Sequence, residues 1–423
     1  MLVRFAASNI RSIDERQELS LVPSAFYKDR EEVLIPCREV PTGYLLPSAI
    51  IYGPNASGKT NVVNSVRFLR AAVINSQIRG VPDGGVPRQA FALGDREKEP
   101  TTLEIEFITD GVRFQYGFEA TNRAFVGEWL YWFPHRNRQL LFERTDEKSV
   151  RFGRNLKGQN KIISELMRPN SLFLSAAAQN SHEQLSKVHA YVVSMTFEAT
   201  GSDPRARDLL TKTEEYDRRI IDFLAEVGTG VVGYRTKKPT PDEKHQALMK
   251  DVMATISRHL PPEKVETFPL DDDYVLELAH SAKKNKRVFF GVDRESAGTR
   301  RLLVILSSVF SALDTGTVVF IDELDASLHT QICEGIVALF SSRRSNPRGA
   351  QLIATTHDTN LMRSRHLRRD QMWFTEKDPS GATHLFPLSD IRTRKTDDIE
   401  KGYLEGRFGA IPFAGSLPDF LRD

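Results

Sequence analysis

Apolar positions along this chain change their spacing at definite points, and those points divide it into elements. Short apolar runs on either side of Asn9-Ile10-Arg11-Ser12-Ile13, with alternation in Leu19-Ser20-Leu21, predict a hairpin of two short strands within residues 2 to 22. A polar loop from Ser24 to Thr42 leads to the strand-length run Ala49-Ile50-Ile51-Tyr52. Beyond Gly53 to Thr60, Val62, Val63, Val66, Leu69 and Val73 recur at helical spacing. Arg79 to Pro87, dense in Gly and Pro, can only be a loop. The period then falls to two. Residues 102–108, 112–118 and 128–133 predict an antiparallel meander with Asp110-Gly111 as a hairpin turn, extended by Gln139 to Phe142 and Ser149 to Phe152.

From Lys161 to Leu260 the spacing is helical, broken by Gly228, Gly230, Gly233, Pro239 and Pro241. The best helical pieces, Arg205 to Glu226 and Pro241 to Leu260, are roughly twenty residues each, so no sustained heptad run exists and a long coiled-coil arm is excluded. Strand character returns at residues 274–278 and 287–290, on either side of the basic turn Lys283-Lys284-Asn285-Lys286. A helix over Leu302 to Leu313 follows, then the continuous apolar strand Thr317 to Ile321, a helix with Ile332, Ile336, Val337 and Phe340 on one face, and a buried strand over Gln351 to Thr356. The expected divisions are a first half at 1–160 with a β lobe, a helical insertion at 161–265 and a second half at 266–423.

Chemistry enters where these strands end. Gly53-Pro54-Asn55-Ala56-Ser57-Gly58-Lys59-Thr60, continued by Asn61, sits between a strand and a helix. In that context glycines let backbone N–H groups curl around phosphates, the Lys59 ammonium reaches the β and γ oxygens, and the Thr60 hydroxyl ligates Mg²⁺. The strand ending Ile321-Asp322-Glu323 supplies the carboxylates that hydrolysis needs: Asp322 for the metal, and Glu323 to orient or deprotonate the attacking water. His357 closes the next strand, where a neutral imidazole can hydrogen-bond a γ-phosphate. His329 reads as a helix-start residue. Glu295-Ser296-Ala297-Gly298-Thr299 precedes a helix and reads either as an anion site or as plain capping by Ser296.

Composition changes this picture little. The 423 residues are 27% charged with a net charge of +2, so any nucleic-acid surface must be local. Cys37 and Cys333 stand far apart, which excludes a disulfide framework or Cys-ligated zinc and fits a reducing cytoplasm. The N-terminus lacks a signal-peptide core, and the apolar stretch Leu302 to Leu313 is too short and too rich in serine to span a bilayer.

The order of phosphate loop, small-residue signature before a helix, Asp-Glu strand, Leu324-Asp325 turn and strand-end histidine resembles that of ABC-type ATPase heads. Asn9 to Ile13 is similar to the opening motif of the SMC/RecF-type group. Glu295 to Thr299, Ile321 to His329 and Gly402 to Pro412 resemble, more closely, bacterial RloA-like and abortive-infection AAA-family ATPases. The resemblance implies an α/β ABC-type head, a phosphate-loop core with an antiparallel β lobe, plus a compact helical insertion. It implies ATP and Mg²⁺ as cofactors, Arg11 beside the nucleotide, and Asp325 as the D-loop residue. It also implies a homodimer or higher homo-oligomer in which Ser296, Ala297, Gly298 and Thr299 close over the γ-phosphate of a second copy. Two departures stand out: the signature Glu-Ser-Ala-Gly-Thr lacks the family's first glycine, and its coupling glutamine is represented only by the candidates Gln89 and Gln115.

Two functions follow. One is the sensing ATPase of an anti-phage system that controls an effector such as a toprim-like nuclease. The other is a RecF/SMC-like DNA repair ATPase, supported by the basic runs Lys283, Lys284, Lys286, Arg287; Arg363, Arg365, Arg368, Arg369; and Arg392, Arg394, Lys395, although such runs are more often solvated faces. The sequence argues against a nuclease within the chain, since only about 65 residues follow His357. Asp271-Asp272-Asp273 reads as a solvated loop, and no membrane partner is implied.

Overall fold

Strand alternation builds the first sheet seen in the computed structural model, which describes residues 1–134, 137–147, 149–198, 216–238, 251, 275–283, 286–394 and 396–410. The chain divides into two units, Met1–Glu198 with Val309–Asp423, and Ala199–Ser308. In chain order the first unit opens with β1 (Leu2–Ser8), β2 (Gln17–Ser20), β3 (Ile35–Pro36), β4 (Tyr44–Leu45), β5 (Ser48–Tyr52) and helix α1 (Lys59–Asn75). The meander follows as β6 (Thr101–Thr109), β7 (Val112–Ala120), β8 (Phe125–Trp132), β9 (Gln139–Arg144) and β10 (Val150–Phe152). These strands form a seven-stranded antiparallel sheet in the order β10-β9-β8-β7-β6-β1-β2. Asp110 and Gly111 take φ of 51° and 69° between the paired Thr109 and Val112, as the expected two-residue turn requires.

Helices α2 (Asn160–Glu165), α3 (Phe173–Gln179) and α4 (Glu183–Ser194) cover this sheet, and β11 (Thr196–Phe197) ends the segment. Leu172, Phe173, Leu185, Val188 and Val192 share one core with Val62 and Val66 of α1 and with Phe107 of β6. The Phe107 and Tyr191 rings stack at 4.1 Å. Residues 160–198 therefore lie in the first unit. A buried carboxylate fastens them there: Glu128 accepts from Phe173 N at 2.6 Å, Leu174 N at 3.0 Å and the Tyr116 hydroxyl at 3.0 Å. Burial pushes its pKa up, while these donors and the nearby Arg144 pull it back.

The second unit contains α5 (Arg218–Glu226), the antiparallel strands β12 (Val231–Lys237), β13 (Val275–Ser281) and β14 (Arg287–Gly291), and the start of α6 (Ala297–Thr315). The helical spacing expected from 161 to 260 is thus broken by a strand. Gly228 and Gly230, at φ of 79° and 81°, end the helix, and Val231-Val232 favour the extended chain that pairs with β13. The expected helix Pro241 to Leu260 apart from Asp251, the first half of Arg205 to Glu226 (205–215), and Asp271 to Asp273 lie outside the described residues.

The first unit resumes within α6, at Val309, and continues with β15 (Val318–Ile321), α7 (Thr330–Ser341), β16 (Gln351–Thr355), β17 (Met372–Lys377), β18 (Thr383–Pro387) and α8 (Ile399–Leu404). A second, six-stranded sheet runs β11-β15-β16-β5-β17-β18, parallel except for β18. The expected α/β architecture is present. The buried Gln351 ties the two sheets, accepting from Leu2 N at 2.6 Å and donating to Leu2 O at 3.0 Å and Leu46 O at 3.2 Å. The C-terminal segment packs on β17 through the stacked Phe374 and Tyr403 rings, 5.4 Å apart, and through Ala410 N to Glu376 at 3.1 Å. Both cysteines are buried and neither forms a disulfide, and no described helix is long and apolar enough to cross a membrane.

A pH response follows from helix α4. His182 Nδ1 accepts from Leu185 N at 3.2 Å, capping the helix, while Nε2 faces Asn160 Oδ1 at 2.8 Å, so the neutral imidazole satisfies both contacts. Burial pushes His182, His189 and His366 below the usual histidine range. The unfolded chain then binds protons that the folded chain refuses. The stability is complete above about pH 6.5 and is lost as pH falls below it. Thermal unfolding should come at a lower temperature at pH 5.5 than at pH 7.5. His182→Asn, which keeps a capping acceptor, should flatten that slope; an unaltered slope would remove His182 from the response.

Candidate functional site

Strand β5 is buried along its whole length, and the loop it leads into turns back tightly. Gly53, Ala56 and Gly58 take φ of 155°, 62° and 109°, and Gly58 caps α1. A Cβ on Gly53 would lie 2.5 Å from Thr375 O, and one on Gly58 would run into the Thr383 side chain, so both positions require glycine. Hydroxyls hold the loop from outside. Ser57 Oγ meets Thr375 Oγ1 at 2.7 Å, Thr383 Oγ1 donates to Ser57 O at 2.9 Å, and Asn61 Nδ2 donates to Ser12 Oγ at 2.6 Å. Pro54 is half-buried and Asn55 exposed. Lys59 Nζ donates to Gly53 O at 2.8 Å and Pro54 O at 3.0 Å. Burial lowers the Lys59 pKa against the opposing pull of Asp322, Asp325 and Glu323, so three carboxylates share the field of this ammonium.

Sheet register brings those carboxylates to the loop. Ile321 pairs with Ala354 and Ala354 with Ile50, so β15, β16 and β5 end at one edge, where parallel sheets bind ligands. Thr60 Oγ1 donates to Asp322 Oδ1 at 3.3 Å, and Thr355 Oγ1 donates to the same oxygen at 2.6 Å. Glu323 is exposed at φ 54°, with its N–H on Thr355 Oγ1 at 2.7 Å. Asp325 Oδ1 accepts from Thr356 Oγ1 at 2.7 Å and His357 N at 3.0 Å, which ties the turn to the strand end carrying the exposed His357. His329 caps α7 through Nδ1 to Gln331 N at 3.3 Å.

A hydroxyl and a carboxylate oxygen side by side suit Mg²⁺, which takes few protein ligands and completes its shell with phosphate and water. Among the described residues no group of three or more His, Cys, Asp and Glu could hold a metal by itself. The cradle formed by Gly53, Gly58 and the α1 N-terminus likewise suits phosphate oxygens.

Arg11, at φ 54°, donates its N–H to Gln89 O at 2.7 Å, and its loop meets the phosphate loop through Ser12 and Asn61. Burial and the charge of Arg67 lower its pKa. Gln115 lies in the β lobe, bonded to Glu104 at 2.9 Å. Ser296, Ala297, Gly298 and Thr299 lie in the second unit, where Ser296 Oγ accepts from Thr299 N at 3.0 Å and caps α6.

The run 363–369 is built into the fold in part, with Arg363 and Arg365 exposed. Arg368 is buried in an ion pair with Asp370 at 2.8 Å, Arg363 pairs with Asp398 at 3.3 Å, and Arg369 donates to Thr393 Oγ1 at 3.0 Å. Arg368 thus cannot belong to the nucleic-acid face suggested by its neighbours in sequence. Lys284, Lys395, Ile411 and Pro412 lie outside the described residues. Reading the sequence missed Ser12, Thr355, Thr356, Thr375 and Thr383, of which only the Thr355-Thr356 doublet at a strand end offered a signal.

A family model described as "AAA domain, putative AbiEii toxin, Type IV TA system" matches residues 48–363. Among solved structures, the chain is similar to an SMC head domain from Thermotoga maritima (TM-score 0.40, 11% identity, covering 91% of this chain and 98% of that one). It is also similar to an Smc head domain with an extended coiled coil bound to the C-terminal domain of ScpA, derived from Pyrococcus furiosus (TM-score 0.39, 11% identity, 92% and 97% covered). No curated protein matches.

Proposed function

The chain belongs to this AAA-domain family, and from that premise we propose that it binds and hydrolyses ATP with Mg²⁺, closing two copies around the nucleotide to control a partner effector in bacterial anti-phage defence. The observation that carries the reading is the meeting of Thr60 and Asp322, 3.3 Å apart, at the mouth of the phosphate loop. Residues Gly53 to Asn61 cradle the phosphates, with Lys59 turning its ammonium from the loop carbonyls to phosphate oxygens. Thr60 and Asp322 hold Mg²⁺, which when bound supplies charge against that developing on the transferred phosphoryl group. Glu323 orients and deprotonates the water, and His357, positioned by Asp325, meets the γ-phosphate from the next strand. Arg11 lies alongside the nucleotide. Ser296, Ala297, Gly298 and Thr299 arrive from the second copy with the N-terminus of α6.

Gly298→Asp places a carboxylate where that copy would receive a phosphate. It should leave ATP binding intact and lower phosphate release by at least about tenfold. In the native host, loss of the protein should raise phage plating, and affinity purification should recover an effector such as a toprim-like nuclease. Unchanged plating with no copurifying protein would end the defence reading. Salt-dependent stimulation of turnover by DNA would favour the RecF/SMC-like repair ATPase instead.

A further inference from the structure

We propose that Thr355 is the positioning residue that aims both carboxylates of the site, an inference that rests on the ATPase reading above and adds a residue with no contact to nucleotide or water. Thr355 is the last residue of β16 and is fully buried, so its hydroxyl cannot reach a bound ligand. What it reaches is the end of the neighbouring strand. An ionised carboxylate only accepts and a backbone N–H only donates, so the direction of both bonds is fixed: Oγ1 gives its proton to Asp322 Oδ1 at 2.6 Å and accepts from Glu323 N at 2.7 Å.

Each bond sets one functional group. Asp322 Oδ1 also receives the Thr60 hydroxyl at 3.3 Å, so two hydroxyls define which oxygen faces the phosphate loop, and the shorter, charge-assisted bond from Thr355 is the stronger. Glu323 sits at φ 54°, a conformation that side chains other than glycine rarely adopt, and such strain persists only where surrounding contacts over-determine it. Ala326 N, bonded to Glu323 O at 2.9 Å, supplies one of them, and Thr355 supplies two more. Thr355 holds the Glu323 amide with its hydroxyl, and with its carbonyl accepts from Leu324 N at 2.8 Å. A buried strand threonine with no such task would bond its own strand's backbone, or be replaceable by valine at equal volume. Thr356 does the matching work on the other branch, on Asp325 at 2.7 Å, while Thr355 bonds both Asp322 and Glu323.

The test compares Thr355→Val, which keeps volume and deletes the hydroxyl, with Thr355→Ser, which keeps the hydroxyl, both in the full chain. Three readouts are needed: ATP affinity by calorimetry in EDTA, kcat for phosphate release, and half-saturating Mg²⁺. Thr355→Val should keep metal-free ATP affinity within about threefold, lose about 10- to 100-fold in kcat and need about tenfold more Mg²⁺, as loss of an outer-shell partner does. Thr355→Ser should return kcat to within about threefold of the starting protein. If Thr355→Val does not fold, Thr355→Ala carries the same Mg²⁺ titration. Wild-type turnover and Mg²⁺ response in the hydroxyl-free variants would overturn the inference, as would a serine variant no better than the valine one. Absence of Mg²⁺-dependent ATP hydrolysis in the unmutated chain would instead overturn the ATPase reading itself.

Discussion

Lys59→Ala should lower ATP affinity by at least about 100-fold, about 2.7 kcal/mol at 1.36 kcal/mol per tenfold change, without unfolding the chain. Lys59 is a buried residue, its ammonium bonded at 2.8 Å and 3.0 Å to the Gly53 and Pro54 carbonyls and drawn by three carboxylates. A triphosphate entering this loop brings several negative charges beside Asp322 and Glu323, and Lys59 is the cation placed to offset them. Deleting it leaves phosphate facing carboxylate at close range, where low dielectric makes repulsion costly. Folding loses less, because removing a buried cation also removes its desolvation cost, and the loop keeps its bonds to Thr375 and Thr383. Calorimetric titration with ATP measures the affinity. Thermal unfolding separates the two effects: ATP at a hundred times its Kd stabilises the wild type by about 2.7 kcal/mol, and that shift should vanish in Lys59→Ala. Retained ATP stabilisation would show that the loop binds through its backbone alone.

The parts of this site that could be read in the sequence are those whose information is local. A strand, a glycine loop and a helix follow one another within residues 49 to 73, and the β-branched run before Asp322 announces a buried strand without any partner in view. The Asp110-Gly111 turn likewise fixes the β6–β7 register from two residues. Information carried across long separations was illegible. Ser57 meets Thr375 and Thr383, hydroxyls more than 300 residues away whose types are common on any strand. Helical spacing over residues 160–198 shows that an apolar face exists but not what covers it. The anchor is Glu128, a charged residue that sequence habit assigns to solvent. Arg368 misled for the same reason: a run of arginines looks like a surface until Asp370 and the loop at Tyr27 are seen around it.

Glu323→Gln should cut phosphate release by about 100- to 1,000-fold, within the range that general-base removal gives, while ATP affinity stays within about threefold. Glutamine matches the side chain in size, keeps an acceptor oxygen, and leaves the backbone bond from residue 323 to Thr355 untouched. Lys59, Thr60 and Asp322 are unaltered, so nucleotide and metal are held as before. The amide cannot take a proton from water, and this is the one capacity removed. Because it is lost in the transition state and not in the bound ground state, the effect should fall on kcat and leave KM nearly unchanged. Light scattering adds a second readout. If ATP closes two copies together and hydrolysis releases them, the variant with Mg²⁺ and ATP should accumulate at twice the mass, whereas the wild type returns to its nucleotide-free mass as ATP is consumed. Normal turnover in Glu323→Gln would move the proton-accepting role elsewhere. His357 is then the residue to replace, since the 3.0 Å bond from its N–H to Asp325 ties it to the same turn.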